Sequence, residues 1–178
     1  YIEGADHLIM ESTYGNRLHG KMENQSEKFI DILLRTIERG GNVIIPSFAV
    51  GRTQEILYEI NKYAAKEGYA ERLKKIPVYV DSPLAVNATK IFEENPEYYD
   101  EEALDYLMKG DNPIDFDSLH LVTTSDESKA LNDDPTPKVI ISASGMCEVG
   151  RIKHHLKHNL YSCLLYTSPS PRDRSVSR

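Results

Sequence analysis

The stretch of sequence that decides the fold is residues 42–55, which read NVIIPSFAVGRTQE. Its first part, Val43-Ile44-Ile45, is a short and wholly apolar run, typical of a strand buried on both faces of a parallel sheet. Pro46 ends that run, and Gly51 leads directly into a stretch with helical spacing. The segment therefore predicts a buried strand, a tight turn and a helix, which together form half of a βαβ unit.

The flanking sequence continues this alternation of strands and helices. Asn24, with Glu27 three residues later, is expected to cap a helix over residues 25–39. Further helices are expected over residues 52–66, 85–93, 97–108 and 149–160, and further strands over residues 8–10, 78–80, 119–122 and 139–141. Alternating elements with buried strands predict an α/β fold with a doubly wound, mainly parallel sheet and helices on both faces.

The composition excludes several classes of protein. With 178 residues, 40% apolar and 28% charged, the chain has an ordinary globular composition. No apolar run approaches the roughly 18 residues of a membrane span, so no membrane partner is expected. The formal charge of −7 argues against a general polyanion binder, so any contact with nucleic acid has to be local. Only Cys147 and Cys163 are present, which favours a reducing compartment, the cytoplasm.

The two ends of the chain differ from its body. Residues 1–6 read as the approach to a strand, with no initiator Met or signal peptide, so we expect the chain to start inside a fold. Residues 163–178 have no helical or strand period. Within them, residues 163–173 resemble one reading frame of a transposase sequencing adapter. We expect this tail to be non-native and disordered; a disordered native tail is the alternative.

Polar residues follow the predicted strands at the edge where open parallel sheets bind ligands. Ser47 and Arg52 follow the strand at residues 43–45, and Ser144, Gly145 and Arg151 follow the strand at residues 139–141. Free backbone N–H groups at a helix start, together with a guanidinium, suit a phosphate. Each junction taken singly is more simply an ordinary turn, because strand-to-helix turns use glycine for geometry as well.

Four blocks of the sequence, in this order, resemble the β-CASP ribonucleases. The blocks are DHLIMESTYGNR (6–17), PSFAVGRTQE (46–55), DSPLA (81–85) and SASGMCEVGR (142–151), the last followed by HHL (154–156). These enzymes are metallo-β-lactamase-fold nucleases akin to the cleavage-and-polyadenylation endonuclease subunit. In the family the β-CASP domain caps the metallo-β-lactamase domain, and RNA is cleaved in the cleft between them. Val149 stands where a second glycine is common.

The resemblance implies a domain organisation. Residues 1–20 would end a metallo-β-lactamase core segment, residues 21–162 would form a β-CASP domain incomplete at its C-terminal end, and residues 163–178 would be the non-native tail. The family's zinc ligands lie in blocks that would fall outside this chain. The resemblance therefore implies zinc in the intact parent enzyme, but neither metal nor activity in this fragment alone.

The resemblance also assigns roles to individual residues. Glu11 matches the family's acidic residue that hydrogen-bonds a downstream acid/base His, and the alternative is that Glu11 caps the following turn. Arg17 is a further candidate for RNA contact. RNA phosphates would be held from the cap side by Ser47, Arg52, Ser144, Gly145 and Arg151.

Two groups of side chains have the composition of zinc ligands. Asp6 and His7 form an Asp-His pair, but the family's zinc Asp lies in a different block, so we interpret them as loop residues. His154 and His158 are spaced four apart on one predicted helix, which is a zinc-binding spacing. No Glu follows His154 and no third ligand is evident, so a structural or RNA-facing role is favoured.

We therefore expect a fragment of a zinc-dependent β-CASP nuclease that hydrolyses RNA phosphodiesters. The Glu-Ser-Thr-Tyr-Gly form at residues 11–15 favours RNA over the DNA-cutting branch of the superfamily. The expected partners are RNA and the metallo-β-lactamase core of the same chain, with a second copy of the chain as a candidate. The alternative of another class is a non-catalytic, doubly wound module that binds a nucleotide or phosphate.

Overall fold

The computed structural model describes residues 4, 6–16, 18 and 24–161. The strands are β1 (Val43–Pro46), β2 (Val78–Asp81), β3 (Leu119–Val122) and β4 (Val139–Ser142). The helices are α1 (Gln25–Glu38), α2 (Arg52–Ala64), α3 (Ala70–Leu73), α4 (Pro83–Glu94), α5 (Glu101–Met108), α6 (Ser125–Asp133) and α7 (Ile152–Asn159), with a 3₁₀ turn at Pro96–Tyr98. The strands form one parallel sheet in the order β1-β4-β2-β3, which confirms the predicted fold class.

Strand β4 is one of the two interior strands of the sheet and is buried along its whole length. Its Ile140 pairs with Ile44 of β1 on one side and with Tyr79 of β2 on the other. Val139 and Ile141 belong to the main apolar core, whereas Ile140 belongs to a second, smaller core. Side chains alternate between the faces of a strand, so both faces of the sheet are covered.

The direction of the connections accounts for the helices on both faces. The steps from β1 to β2 and from β2 to β3 run the same way across the sheet, and the step from β3 to β4 runs back. Because crossovers between parallel strands are right-handed, the crossover helices α2 to α5 belong on one face and α6 belongs on the other. Buried contacts agree, since Leu57 of α2 lies in the main core with Val80, and Leu131 of α6 packs with Ile140.

Helix α7 lies on the same face as α6. Asp81 follows Val80 on β2, so its side chain points away from the main core. On that side the Asp81 carboxylate contacts Ser128 of α6 and His155 of α7. No helix in the part of the chain described here is both long and apolar enough to cross a bilayer.

Helix α6 is absent from the sequence-based prediction. Its sequence, SDESKALND, has too few apolar residues for a helical period. The usable signal is a capping box, in which the Oγ1 of Thr124 accepts from the Glu127 amide at 3.3 Å and the Glu127 carboxylate accepts from the Thr124 amide at 3.0 Å. The buried Lys138 closes the other end, donating to the carbonyl oxygens of Leu131 and Asp134 at 3.2 and 2.5 Å.

Three local predictions are wrong. The helix expected over residues 97–108 is broken, because a 3₁₀ turn covers Pro96–Tyr98 and α5 begins only at Glu101. Asn24 does not cap α1 through its side chain; it adopts a left-handed conformation with φ 62°, which Asn tolerates better than most residues. Residues 8–10 form no strand, and their side chains are exposed. An apolar run becomes a strand only beside a partner, and none of the four described strands pairs with it.

Several predictions lie wholly or partly outside the described residues. The adapter-like tail at residues 163–178 and Arg17 are among them. The domain boundary near residue 20 also falls where the chain is not described, and the boundary at residue 162 lies just beyond the last described residue. These assignments therefore stay predictions.

Candidate functional site

The candidate site lies at the carboxyl ends of β1 and β4. The β1 loop (residues 47–51) leads to α2 on one face of the sheet, and the β4 loop (residues 143–151) leads to α7 on the other. Neighbouring parallel strands whose connections leave to opposite faces open a crevice between their loops, and such topological switch points bind ligands in open α/β sheets. The topology thus places the two loops on either side of one crevice.

The two loops are in direct contact. The Ser47 amide donates to the carbonyl oxygen of Ser142 at 3.0 Å, which extends the pairing of β1 with β4 by one residue. Gly145 then lies against Phe48: a Cβ at position 145 would be 3.3 Å from both the Phe48 nitrogen and its ring. A side chain at position 145 would push the loops apart, so glycine allows this close approach.

Three of the predicted phosphate contacts line one open groove at this junction. Ser47, Arg52 and Gly145 border it together with Phe48. The Ser47 hydroxyl is buried; it donates to the Phe48 carbonyl and accepts from Thr53 at 3.1 Å. The Arg52 guanidinium is 66% exposed and pairs with Glu55 at 2.6 Å. An exposed ion pair of this kind contributes little free energy, so a stronger anion can displace it.

The β4 loop is closed by its own backbone. Both the amide and the hydroxyl of Ser144 donate to the Val149 carbonyl at 3.2 Å. Gly150 has φ +85°, and a Cβ there would lie 2.3 Å from the Ala143 carbonyl oxygen, so only glycine fits. Val149, which replaces a common family glycine, has an exposed side chain, and the turn therefore depends on Gly150.

Arg151 does not join Arg52 in the groove. Its Nη1 donates to Oδ1 of Asp81 at 2.7 Å, and its Nη2 donates to the Thr123 carbonyl at 2.8 Å. The Val122 carbonyl lies 3.4 Å from Nη1. Arg151 therefore ties the end of the β4 loop to the carboxyl ends of β2 and β3. Its Nε–H and one Nη2–H have no acceptor in the part of the chain that the structure describes.

Asp81 and His155 are residues of this edge to which the sequence analysis assigned no role. Both are fully buried, and the Asp81 carboxylate accepts from His155 Nε2 at 2.6 Å and from the Ser128 hydroxyl at 2.5 Å. Burial alone would raise the pKa of Asp81, but the hydrogen bonds from His155, Ser128 and Arg151 outweigh burial and hold that pKa below its ordinary value. The available signal was spacing, since His155 lies with Ile152 and Asn159 on the inward face of α7.

Glu11 makes no hydrogen bond to the β1 loop or the β4 loop within the part of the chain described. Its exposed carboxylate accepts a hydrogen bond from the Thr13 amide at 2.9 Å, which lowers its pKa. Thr13 is its only hydrogen-bond partner among the residues described. This contact is compatible with a turn cap and leaves the predicted contact with an acid/base His untested.

The side chains described here do not fit zinc. No three His, Cys, Asp or Glu residues of the described ranges are placed to share a metal ion, and this includes Asp6 and His7. His158 Nδ1 bonds the His154 carbonyl at 2.8 Å, so only its Nε2 is free to bind a ligand.

Comparisons with known proteins consistently indicate one family. Residues 53–162 match the family described as the Beta-Casp domain. Ribonuclease TTHA0252 of Thermus thermophilus is 40% identical over 156 residues, covering 88% of this chain and 35% of that protein. Transcription termination factor FttA of Pyrococcus horikoshii is 35% identical, covering 84% and 23%. An RNase J-like protein of Methanocaldococcus jannaschii is 34% identical, covering 88% and 35%. The chain spans about a quarter to a third of the length of these relatives.

Proposed function

The chain belongs to the Beta-Casp domain family, and from that membership we propose that it forms the cap side of an RNA-binding cleft in a metal-dependent ribonuclease. The observation that carries the proposal is the contact between the β1 and β4 loops at a topological switch point, with Gly145 against Phe48. The whole protein would hydrolyse RNA phosphodiester bonds, and this chain would hold the substrate.

Backbone amides are the first group of proposed phosphate ligands. The N–H groups of Phe48, Gly145 and Met146 have no acceptor in the described part of the chain. The position that a Cβ of residue 145 would occupy is 3.3 Å from the Phe48 nitrogen, so the two loops bring their amides together. The start of α2 adds the positive end of a helix dipole. Neighbouring N–H groups without an acceptor suit a phosphate oxygen.

Side chains would add charge to this set of amides. Arg52 is proposed as the main contributor, because its guanidinium is exposed beside the groove. Arg151 would contribute less, since Asp81 already neutralises its charge and, within the described ranges, two of its donors remain free. The Ser144 hydroxyl would have to leave Val149 to reach a phosphate. Ser47, whose hydroxyl is buried, would act by positioning the β1 loop.

Glu11 is proposed as a positioning residue for an acid/base His elsewhere in the whole protein. Its lowered pKa keeps the carboxylate ionised near neutral pH, so that it can accept an imidazole N–H.

The proposal includes zinc as the metal of the whole protein, held by residues other than those described here. It also includes a cytoplasmic location, a metallo-β-lactamase core joined at residues 1–20, and a second copy as a candidate partner.

The test is a comparison of two variants in the whole protein. Arg52→Ala should weaken RNA binding by roughly tenfold to a hundredfold, the equivalent of a charge-assisted hydrogen bond. Glu11→Gln should leave RNA affinity nearly intact and lower kcat, because it acts on the chemical step. Arg35→Ala is the matched control, since Arg35 is an exposed arginine of α1 without an ion-pair partner among the described residues.

Two results would remove the proposal. Equal RNA affinities for Arg52→Ala and Arg35→Ala would exclude the groove as a phosphate site. A whole protein that binds small phosphorylated ligands but turns over no RNA would instead support the non-catalytic phosphate-binding module.

A further inference from the structure

The solvent face of α7 carries only lysine and histidine side chains over its length. Its exposed residues are Lys153, His154, Lys157 and His158. Each of the other helices in the described part of the chain contains at least one Asp or Glu, and α7 contains none. The whole chain has a formal charge of −7, so this helix is a local reversal of charge.

The two lysines of this face have no ion-pair partner among the residues that the structure describes. Lys153 and Lys157 are one helical turn apart and therefore lie side by side on α7. Neither forms an ion pair or a side-chain hydrogen bond within the described residues. Five lysines elsewhere each pair with a carboxylate: Lys62, Lys75, Lys109, Lys129 and Lys138. Unpaired ammonium groups are available to neutralise phosphates, which releases the counterions of a nucleic acid.

A groove extends this face toward α6. It is lined on the α7 side by Arg151, His154 and His158, and on the α6 side by Lys129 and Asp133 among others. Asp133 is the only acidic side chain that lines this groove in the part of the chain described. Lys129 is paired with Asp126, an exposed and therefore weak ion pair. The groove thus adds hydrogen-bond donors beside the two lysines and little negative charge.

The position of α7 relates this face to the candidate phosphate site. Arg151 ends the β4 loop, and α7 begins at the next residue. The helix has 8 residues, so it runs for about 12 Å away from the loop. A strand whose phosphate is held at the β4 loop can therefore continue along the outer face of α7.

We infer that the face formed by Lys153, His154, Lys157 and His158 is a second binding surface for the backbone of single-stranded RNA. This inference rests on the proposed function, because it continues a strand that the β1 and β4 loops hold first. Lysine binds phosphate as a point charge without reading bases, so binding at α7 is independent of RNA sequence. The exposed imidazoles add flat surfaces on which unstacked bases can lie, and His154 can add an N–H donor.

The test compares a long and a short single-stranded RNA bound to the 178-residue chain by fluorescence anisotropy. The double variant Lys153→Gln/Lys157→Gln removes both charges and keeps helix-forming side chains. For a twelve-nucleotide RNA at about 0.1 M salt, we expect affinity to fall roughly 10- to 30-fold and the salt slope by about 1.4, because two phosphates lose their partners. A four-nucleotide RNA, which fills only the loops, should bind both proteins equally.

Two matched controls separate this surface from the loop site. Lys74→Gln/Lys90→Gln removes two other exposed lysines that have no ion pair within the described residues, and it should leave both RNAs unaffected. Arg52→Ala should weaken the long and the short RNA alike. Circular dichroism melting should give the same Tm for the lysine variants and the wild type.

The outcomes distinguish the two claims. Unchanged binding of the long RNA by the α7 variant, with Arg52→Ala still weakening it, overturns the inference and leaves the proposed function standing. Equal losses for the long and the short RNA also overturn it, because α7 would then not extend the strand. If polyglutamate competes with the long RNA at equal charge concentration, the face binds acidic protein instead. Failure of the wild-type chain to bind either RNA removes the proposed function and the inference together.

Discussion

The Nε2 of His155 lies 2.6 Å from Oδ2 of Asp81, and both side chains are fully buried. The other carboxylate oxygen of Asp81 binds Arg151 at 2.7 Å. One carboxylate at the end of β2 therefore holds α7 and the end of the β4 loop against the sheet. This contact fixes the end of the β4 loop, while the amides of Gly145 and Met146 have no acceptor among the described residues.

Asp81→Asn should destabilise the fold strongly. The change leaves the Arg151 and His155 side chains without their buried anion, and breaking a buried ion pair on one side costs about 3–5 kcal/mol of unfolding free energy. Urea denaturation measures this loss of unfolding free energy. Asp126→Asn is the control, since it breaks an exposed pair with Lys129 and should cost under about 1 kcal/mol. Equal urea midpoints for the two variants would contradict the proposed role of Asp81.

The same carboxylate should make the wild-type protein sensitive to acid. Burial raises the pKa of Asp81, but the hydrogen bonds from His155, Ser128 and Arg151 prevail and keep it below the ordinary value of 3.8. A group with a lowered folded pKa stabilises the fold above its unfolded pKa and loses that contribution as pH falls through the folded pKa. The unfolding free energy of the wild type should therefore fall below about pH 4, and more steeply than that of Asp81→Asn. Parallel curves would argue against this assignment.

The sheet could be predicted from the sequence because three of its four strands, β1, β2 and β4, are largely buried. The runs at residues 43–45, 78–80 and 139–141 consist of Val and Ile with one Tyr, and each forms a strand that ends within one residue of its predicted end. Helix α6 could not be predicted from apolar spacing, because its contacts with the sheet are made by a single leucine and by the polar Ser128. Its capping box was the readable signal.

The candidate site was predictable in its location and less so in its contacts. Parallel topology alone brings Ser47 and Gly145 to one edge, because both follow neighbouring strands. The direction in which the Arg151 side chain points depends on its bond to Asp81, which is 70 residues away in sequence. No local pattern encodes such a contact. The same holds for Phe48, whose exposed ring beside Gly145 depends on how two loops meet.

Gly150→Ala should disturb the β4 loop more than an ordinary glycine substitution. A Cβ at Gly150 would lie 2.3 Å from the Ala143 carbonyl oxygen, in addition to the strain of φ +85°. Gly40→Ala is a matched control, because Gly40 has φ +81° with nothing within 4 Å of its Cβ position. The control should cost about 1–2 kcal/mol of unfolding free energy, the usual strain of this conformation, and Gly150→Ala clearly more. Equal losses of unfolding free energy in the two variants, measured by urea denaturation, would show that the close approach to Ala143 does not explain the glycine at position 150.

RNA phosphates held by the β1 and β4 loops should be detectable most directly in the salt dependence of single-stranded RNA binding. The measurement compares the wild-type chain with Arg52→Ala, and with Arg35→Ala as the charge-matched control. Arg52→Ala should lower the affinity by roughly tenfold to a hundredfold and reduce the slope of log K against log salt by about 0.7, the loss of one neutralised phosphate. Arg35→Ala should match the wild type. If Arg52→Ala kept the wild-type affinity and salt slope, the phosphate site would be contradicted. Arg52 would then be an ordinary surface residue at the start of α2.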